Sequence, residues 1–473
     1  MQMYVAGEWT SAASQDEIRN PWSGETVDTV PRATVAHVDA ALAAAVQGAA
    51  AMRRLPAHER VAILERAADL MEDACEEIAR TITAEEGKPL SEALGEARRG
   101  PALFRLAAAE GARMHGETLP LDASPGGEDK LGFTLRQPCG VVVAISPFNY
   151  PLLLVAHKVA PALAAGNAVV LKPASQTPLT ALKLTELLLE AGLPPHALQT
   201  ITGPGGELGD ALCSDERVRK ISFTGSAAVG QRIAQVAGVK KLSLELGANC
   251  PVAVLPDADL EQVAQATAAG GYVNAGQVCI SVQRVLVDRG AYGDFLDALR
   301  QKVESIAVGD PLDDGTQLAA LASEREAERV EATIRRSVEA GATLVTGGGR
   351  DRGVVQPTVV ADVPDDTELW REELFGPAVA VRPVSGIDEA IALANDTQYG
   401  LGAGVFTRDV NNALRFAREV DAGNVHVNWT PLWRADLMPY GGLKGSGIGK
   451  EGPRYAVEEM TELKSVVFHG IER

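Results

Sequence analysis

Apolar positions in the first quarter of the chain recur at helical spacing. Val61-Ala-Ile-Leu64, Ala67-Ala68, Leu70-Met71 and Ile78 follow one another with charges between them. That period predicts amphipathic helices over most of residues 36–115. Residues 1–33 are turn-rich instead, with Asn20-Pro21 and Ser23-Gly24, and have room for short edge strands. The polar cluster Asp122-Ala-Ser-Pro-Gly-Gly-Glu-Asp129 predicts a turn joining strands at roughly 116–122 and 130–138. From residue 139 the rhythm changes to short apolar runs separated by helical patterns. Five strands are expected at 141–145, 168–171, 197–202, 220–224 and 242–246. Thr177-Pro178 reads as a helix start with Thr as N-cap, and Gly192 with Pro194 as a stop. This alternation predicts a doubly wound parallel sheet, which takes ligands at the carboxyl ends of its strands. A second set at 251–255, 282–287, 343–346, 354–360, 378–383 and 402–407 predicts another α/β domain from about 247 to 450.

The 473 residues are too many for one simple core and fit two or three domains. A net charge of -19 argues against binding nucleic acid through a general phosphate-attracting field. Cys75, Cys139, Cys213, Cys250 and Cys279 are scattered, odd in number and without CxxC spacing. They predict no zinc site and no disulfide framework, and fit a reducing cytoplasm. The amino terminus lacks a basic region followed by an apolar run, so no signal peptide is expected. Charge, Gly or Pro interrupts the apolar segments, so no membrane span is expected either.

The residues able to do chemistry sit at strand ends and in one glycine-rich stretch. Cys279 lies in Gly270-Gly-Tyr-Val-Asn-Ala-Gly-Gln-Val-Cys279, just before a β-branched segment. On such a turn its backbone N–H can be exposed beside its own sulfur, which suits attack on a carbonyl; otherwise it is a small core residue. Asn149, between Pro147 and Pro151, is an oxyanion donor or an Asx-turn. Lys172, after the second strand, is a ribose or phosphate ligand or a solvated loop lysine. Gly225-Ser226 opens a helix and offers free N–H groups to an anion, or is a tight turn. Glu245, at the end of an apolar strand, is a general base with a raised pKa or the partner of Lys240 or Lys241. Glu373, before the Phe375-Gly-Pro turn, holds a sugar diol or lies on the surface.

Taken together, Pro147-Phe-Asn149-Tyr-Pro151, Lys172-Pro-Ala174, Phe223-Thr-Gly-Ser226, Glu245-Leu-Gly247, Gly276-Gln-Val-Cys279, Glu373-Leu-Phe-Gly-Pro377 and Pro439-Tyr-Gly-Gly442-Leu-Lys444 occur in the order seen in NAD(P)-dependent aldehyde dehydrogenases. The resemblance covers nearly the whole chain and is nearest to the lactaldehyde, phosphonoacetaldehyde and non-phosphorylating glyceraldehyde-3-phosphate dehydrogenase group. It implies two doubly wound α/β domains plus a bridging β-hairpin. Residues 1–115 and 136–246 would bind NAD or NADP, and 247–451 would form the catalytic domain. Residues 116–135 and 452–473 would bridge and oligomerise, with the hairpin pairing a strand near 465–469. A homodimer or homotetramer in the cytoplasm is implied.

The family mechanism makes Cys279 the nucleophile, with Asn149 and the Cys279 N–H as oxyanion hole. A thiohemiacetal passes hydride to the nicotinamide, and Glu245 activates the water that releases the acid from the thioester. Lys172 would bind the adenosine ribose, Gly225 and Ser226 the pyrophosphate, Glu373 the nicotinamide ribose beside Phe375. Ser175 stands where strictly NAD-dependent relatives carry Glu, which implies that NADP is tolerated. Arg99, Tyr150, His157 and Arg434 match substrate-funnel positions. Two guanidinium groups there would repel unless an anion neutralised them, which points to a short aldehyde with an anionic or hydroxyl group. Val278 departs from the phosphate-using relatives, which carry arginine before the nucleophile. The alternatives are a broad aldehyde scavenger, a CoA-acylating semialdehyde dehydrogenase, against which Glu245 argues, and a non-catalytic family member.

Overall fold

A computed structural model describes residues 1–471; the last two residues of the expected 452–473 segment lie outside the described residues. Two large sheets dominate. The first has eight strands, at its centre Leu198–Thr200, Ala168–Lys172, Val141–Ile145, Val218–Thr224 and Lys241–Glu245, in that spatial order and all parallel. Every residue of Val141–Ile145 and Ala168–Lys172 is buried, which is why these runs are continuously apolar. The chain winds outward from Val141–Ile145 in one direction and returns beside it with Val218–Thr224. The strand order reverses between these two, and the crevice beyond their carboxyl ends is where such sheets take ligands. Short antiparallel strands close both edges, Met3–Val5 with Glu8–Thr10 on one side and Gly447–Ile448 on the other.

The second sheet runs Thr343–Thr346, Thr358–Ala361, Ala378–Val384, Arg284–Asp288, Pro251–Val254, Gly402–Phe406, Asn424–Val427, parallel except for its first strand. The stretch expected as one strand at 354–360 is two, because Gln356-Pro357 interrupts it; Val354–Val355 pairs away in a small ribbon with Arg350–Asp351. Asn424–Val427 was not expected, having only half-buried and exposed side chains. Five residues separate Glu245 from Pro251, so the carboxyl ends of the first sheet abut the amino ends of the second.

The third sheet is antiparallel, Thr461–His469 against Lys130–Pro138 against Thr118–Leu119. The first arm of the expected hairpin is shorter than its pattern, because Leu121–Ala123 forms a single helical turn.

Four helices, Val35–Arg54, Ala57–Asp73, Cys75–Glu86 and Leu90–Ala112, fill the expected helical region. By length and composition Val35–Arg54 is apolar enough to cross a membrane, contrary to expectation, with mean hydropathy 1.3. Its Val38, Ala41, Leu42 and Ala45 are buried against the first sheet, the ordinary reason for an apolar stripe. The helix expected to start on Thr177 begins at Leu179, and Thr177 Oγ1 donates to the Phe148 carbonyl instead. Its cap is remote: the buried Glu85 carboxylate accepts the N–H groups of Leu179 and Thr180.

Candidate active site

A cleft of about 720 Å³ opens between the two sheets, at the reversal of strand order. Asn149, Lys172, Ser175, Gly225, Ser226, Glu245, Cys279, Glu373 and Phe375 all line it. Lys172 donates to the carbonyls of Pro173 (2.8 Å) and Gly203 (3.2 Å) and has no carboxylate partner among the described residues. Burial alone lowers its pKa to about 8. Ser175 Oγ also donates to Gly203, at 2.9 Å. Ser226 immediately precedes the helix Ala227–Val236 and its hydroxyl caps nothing, so the helix N–H groups and the hydroxyl are open to the cleft. A Cβ at Gly225 would press on the Phe223 ring, so any larger residue there would displace that ring. Glu373 accepts the Ala248 N–H at 3.0 Å and is pushed up to about 7 by burial. A buried cation without a carboxylate, a free helix N-terminus and a carboxyl with a raised pKa across the cleft fit the ribose, pyrophosphate and second ribose of a dinucleotide.

Cys279 follows a strained segment. Asn274, Ala275 and Gly276 all have positive φ (49°, 51° and 73°). Two non-glycine residues there cost about 1–3 kcal/mol each, and two carboxylates, Glu86 buried and Glu92 half-buried, hold the arrangement. Asn274 donates its amide to Glu86 (2.8 Å) and its backbone N–H to Glu92 (2.9 Å). Between these carboxyls sits Lys88, fully buried, which donates to Glu96 at 2.8 Å and to the Asn149 carbonyl at 2.6 Å. Burial pushes Glu86 up to about 8 and Glu92 up to about 7 against the pull of Lys88. The same cluster therefore anchors the backbone before Cys279 and the turn that carries Asn149. Asn149 Nδ2 donates to the Gln277 carbonyl at 2.7 Å while its buried Oδ1 has no partner, so it forms no Asx-turn.

Glu245 is buried and pairs with neither neighbouring lysine. Lys240 caps the Ala237 carbonyl and Lys241 the Thr461 carbonyl. Burial and then the Glu451 charge raise its pKa well above the ordinary carboxylate range. Burial would raise Glu451 too, but Lys158 at 3.0 Å and Arg434 at 3.2 Å outweigh it and hold it well below the usual carboxylate range.

A second cavity, about 250 Å³, meets the cleft at Cys279. Arg99, Tyr150, His157 and Arg434 line it with Tyr440 and apolar side chains. The expectation that its two arginines go unneutralised without a ligand is corrected here. Arg99 pairs with Asp436 at 2.6 Å and Arg434 with Glu451 at 3.2 Å. Burial and then the Arg434 charge lower the pKa of His157 against the pull of Asp436 and Glu451, its Nε2 3.4 Å from Asp436 and its Nδ1 3.4 Å from Arg434 Nη2. Arg434 Nε is buried without an acceptor, and its guanidinium lies 3.8 Å over the Tyr440 ring. The Tyr440 hydroxyl is 2.9 Å from Cys279 Sγ. Burial pushes the thiol up to about 12, against the pull of that hydroxyl.

The aldehyde dehydrogenase family model matches residues 9–466. The chain belongs to the aldehyde dehydrogenase family. This aldehyde dehydrogenase is 45% identical over 467 residues to the 3-sulfolactaldehyde dehydrogenase of Priestia aryabhattai, covering 99% of this chain and 98% of that one. Aldehyde dehydrogenase 21 of Physcomitrella patens, solved with its reaction product succinate, superposes with a TM-score of 0.97 at 38% identity (99% and 98% covered). The NADP-dependent glyceraldehyde-3-phosphate dehydrogenase of Bacillus halodurans C-125, solved with NADP, also superposes at 0.97, with 35% identity and 99% of each chain covered. The enzyme is therefore an NAD(P)-dependent oxidoreductase that converts an aldehyde to the acid.

All thirteen residues singled out from the sequence line the cleft or the adjoining cavity. Lys88, Glu86, Glu92, Glu96, Lys158, Asp436, Tyr440 and Glu451 were missed. One signal was available: Glu96 falls in the buried stripe of its helix with Ala93, Ala97 and Gly100, where a charge needs a partner.

Proposed function

We propose that Cys279 is the nucleophile. Its Sγ adds to the aldehyde carbon, while Asn149 Nδ2 and the Cys279 backbone N–H, which no described residue accepts, hold the oxyanion. A bound NAD(P) supplies the hydride acceptor. Lys172 and Ser175 hold its adenosine ribose, Gly225 and Ser226 its pyrophosphate, Glu373 and Phe375 its nicotinamide end. Glu245, kept basic by burial and Glu451, takes the proton of the water that attacks the thioester carbonyl and releases the acid. The observation that carries this reading is the position of Cys279, which with Leu154 lines both the cofactor-sized cleft and the small cavity, while Asn149 and Glu245 line the cleft with it.

The small cavity reads a short aldehyde with an anionic or hydroxyl group. Arg99 and Arg434 both line it, and Arg434, though paired with Glu451, has an unused buried donor at Nε. The sulfolactaldehyde and succinate of the relatives have that chemistry. The internal pairing of both arginines favours a second reading, a broad aldehyde scavenger. Initial NAD(P)H production separates the two, setting propanal and benzaldehyde against sulfolactaldehyde, lactaldehyde, succinate semialdehyde and glyceraldehyde 3-phosphate. A preference for the anionic aldehydes, lost in Arg434→Ala and reduced in Arg99→Ala, supports the first reading. Equal use of propanal supports the second.

Residues 1–115 with 136–246 form the cofactor domain, 247–451 the catalytic domain, and 116–135 with the described part of 452–473 the bridge. Exposed Leu131, Leu135, Leu463, Val467 and Phe468 on the bridging sheet suit a homodimer or homotetramer. Free cysteines and no disulfide among the described residues suit the cytoplasm.

A further inference from the structure

Cys279 has an unusual problem in this site. Its sulfur is a nucleophile only as thiolate, yet burial works against ionisation. The groups around it come from four parts of the chain. Glu245 arrives from the end of Lys241–Glu245 and Glu373 from the loop before Ala378–Val384, and both charges oppose a thiolate. Cys250, entering Pro251–Val254, directs its own thiol at the Cys279 carbonyl (3.7 Å) and not at the sulfur. Arg434 and Tyr440 follow Asn424–Val427 and are the groups that favour a thiolate. Arg434 makes no direct contact with the sulfur. Its guanidinium lies 3.8 Å over the Tyr440 ring, and the Tyr440 hydroxyl alone reaches Sγ, at 2.9 Å. That hydroxyl has no other partner among the described residues, so nothing else orients it.

We propose that Tyr440 is a further catalytic residue, whose hydroxyl donates a hydrogen bond to the Cys279 thiolate and whose ring is polarised for this by the stacked Arg434 guanidinium. The proposal rests on the reading of Cys279 as nucleophile. A cation over the ring face draws electron density from the phenol and strengthens its O–H as a donor. Tyr440 keeps its proton throughout, since burial raises its own pKa well above 10. When sulfur adds to the carbonyl carbon it loses its negative charge, and the hydroxyl is released. The bond therefore populates the thiolate without entering the thioester chemistry.

Magnitude decides whether that helps. A donor to a charged sulfur lowers a thiol pKa by about one unit or more. Each unit multiplies the thiolate fraction about tenfold and reduces its intrinsic nucleophilicity about threefold. The net gain is about threefold per unit while the thiol remains mostly protonated. Arg434 thereby serves two ends, the substrate's polar group and the nucleophile.

The test is the pH profile of Cys279 alkylation by iodoacetamide in the full-length enzyme, with modification mapped to Cys279 and cofactor binding as the check on folding. Tyr440→Phe removes one oxygen. The expected result is an alkylation midpoint about one unit higher, and alkylation and kcat/KM about threefold lower on the rising limb. The gap should close and then reverse towards high pH, where the more basic thiolate of the variant is the better nucleophile, with cofactor affinity unchanged. Arg434→Met, which leaves the hydroxyl in place, should shift the midpoint the same way by less. An unchanged midpoint in Tyr440→Phe overturns the proposal, as does a uniform loss at every pH, which is what a packing role alone would give. Cys279→Ala separates this failure from that of the wider reading. If that variant still turns over, the nucleophile is misassigned. If it is inactive while Tyr440→Phe keeps the parent profile, only the role of Tyr440 falls.

Discussion

The cluster around Lys88 should be worth more to this enzyme than any pair on its surface, and Glu96→Gln measures it. Lys88 and Glu96 side chains are both 0% exposed, and Nζ meets Oε2 at 2.8 Å. Removing one partner of such a pair costs about 3–5 kcal/mol, because a buried charge is left behind. Two features reduce that figure here. Glutamine keeps an oxygen for the Leu152 and Leu153 N–H groups that Glu96 Oε1 now accepts at 2.9 and 3.1 Å. Glu86 and Glu92, partly held back from ionising by the Glu96 charge, ionise more readily once it is gone and compensate Lys88 in part. The expected loss is therefore about 2–3 kcal/mol. Glu96→Ala should lose more, by about 1–3 kcal/mol for stranded backbone donors. The assay is urea unfolding by far-UV circular dichroism, with the slope unchanged and the midpoint lowered. Because Lys88 also holds the Asn149 carbonyl, kcat should fall with stability, by roughly 10- to 100-fold for a displacement near 1 Å. A Glu96→Gln variant within about 0.5 kcal/mol of the parent, or equal to Glu96→Ala, would show that the pair is not what fixes this turn.

Glu245→Gln should release one equivalent of NAD(P)H in a burst and then stall, since thioester formation needs no hydrolytic base; absence of the burst in stopped flow would place Glu245 earlier in the reaction. The raised pKa of Glu245 also has a sign for stability: its contribution is present below the ordinary carboxylate pKa and lost as pH rises through the folded value. Glu245→Gln should therefore unfold later than the parent at alkaline pH and show no advantage near pH 4. Ser175→Glu places a carboxylate beside the expected 2′-phosphate, and kcat/KM with NADP should drop at least about tenfold while NAD changes little; equal losses with both cofactors would mean that Ser175 does not face that group. Lys172, lowered to about 8 by burial, loses its charge as pH rises through that value, so NADP affinity by fluorescence titration should weaken above pH 8. The profile should be flat in Lys172→Gln, and a flat profile in the parent would refute an ionic role.

The sequence alone determined most of the order of strands and helices, because continuous apolar runs such as Val141–Ile145 and helical spacing such as Ile63 to Met71 are local consequences of burial on two faces or on one. It also determined that the reactive side chains stand at strand ends and in the Gly276–Cys279 turn, where irregular backbone frees N–H groups and a glycine takes the left-handed conformation at no cost. It did not determine who neutralises whom. Arg99 finds Asp436 across 337 residues and Lys158 finds Glu451 across 293, and neither partner leaves a mark in the local pattern. Glu245, which the lysines next to it could equally have paired, is left to be tuned by Glu451 because the strand Gly447–Ile448 is laid against its own. The charges in the chain were legible; their pairing, and with it the pKa of every working group, exists only where two sheets meet end to end and exclude the water that would otherwise have screened them.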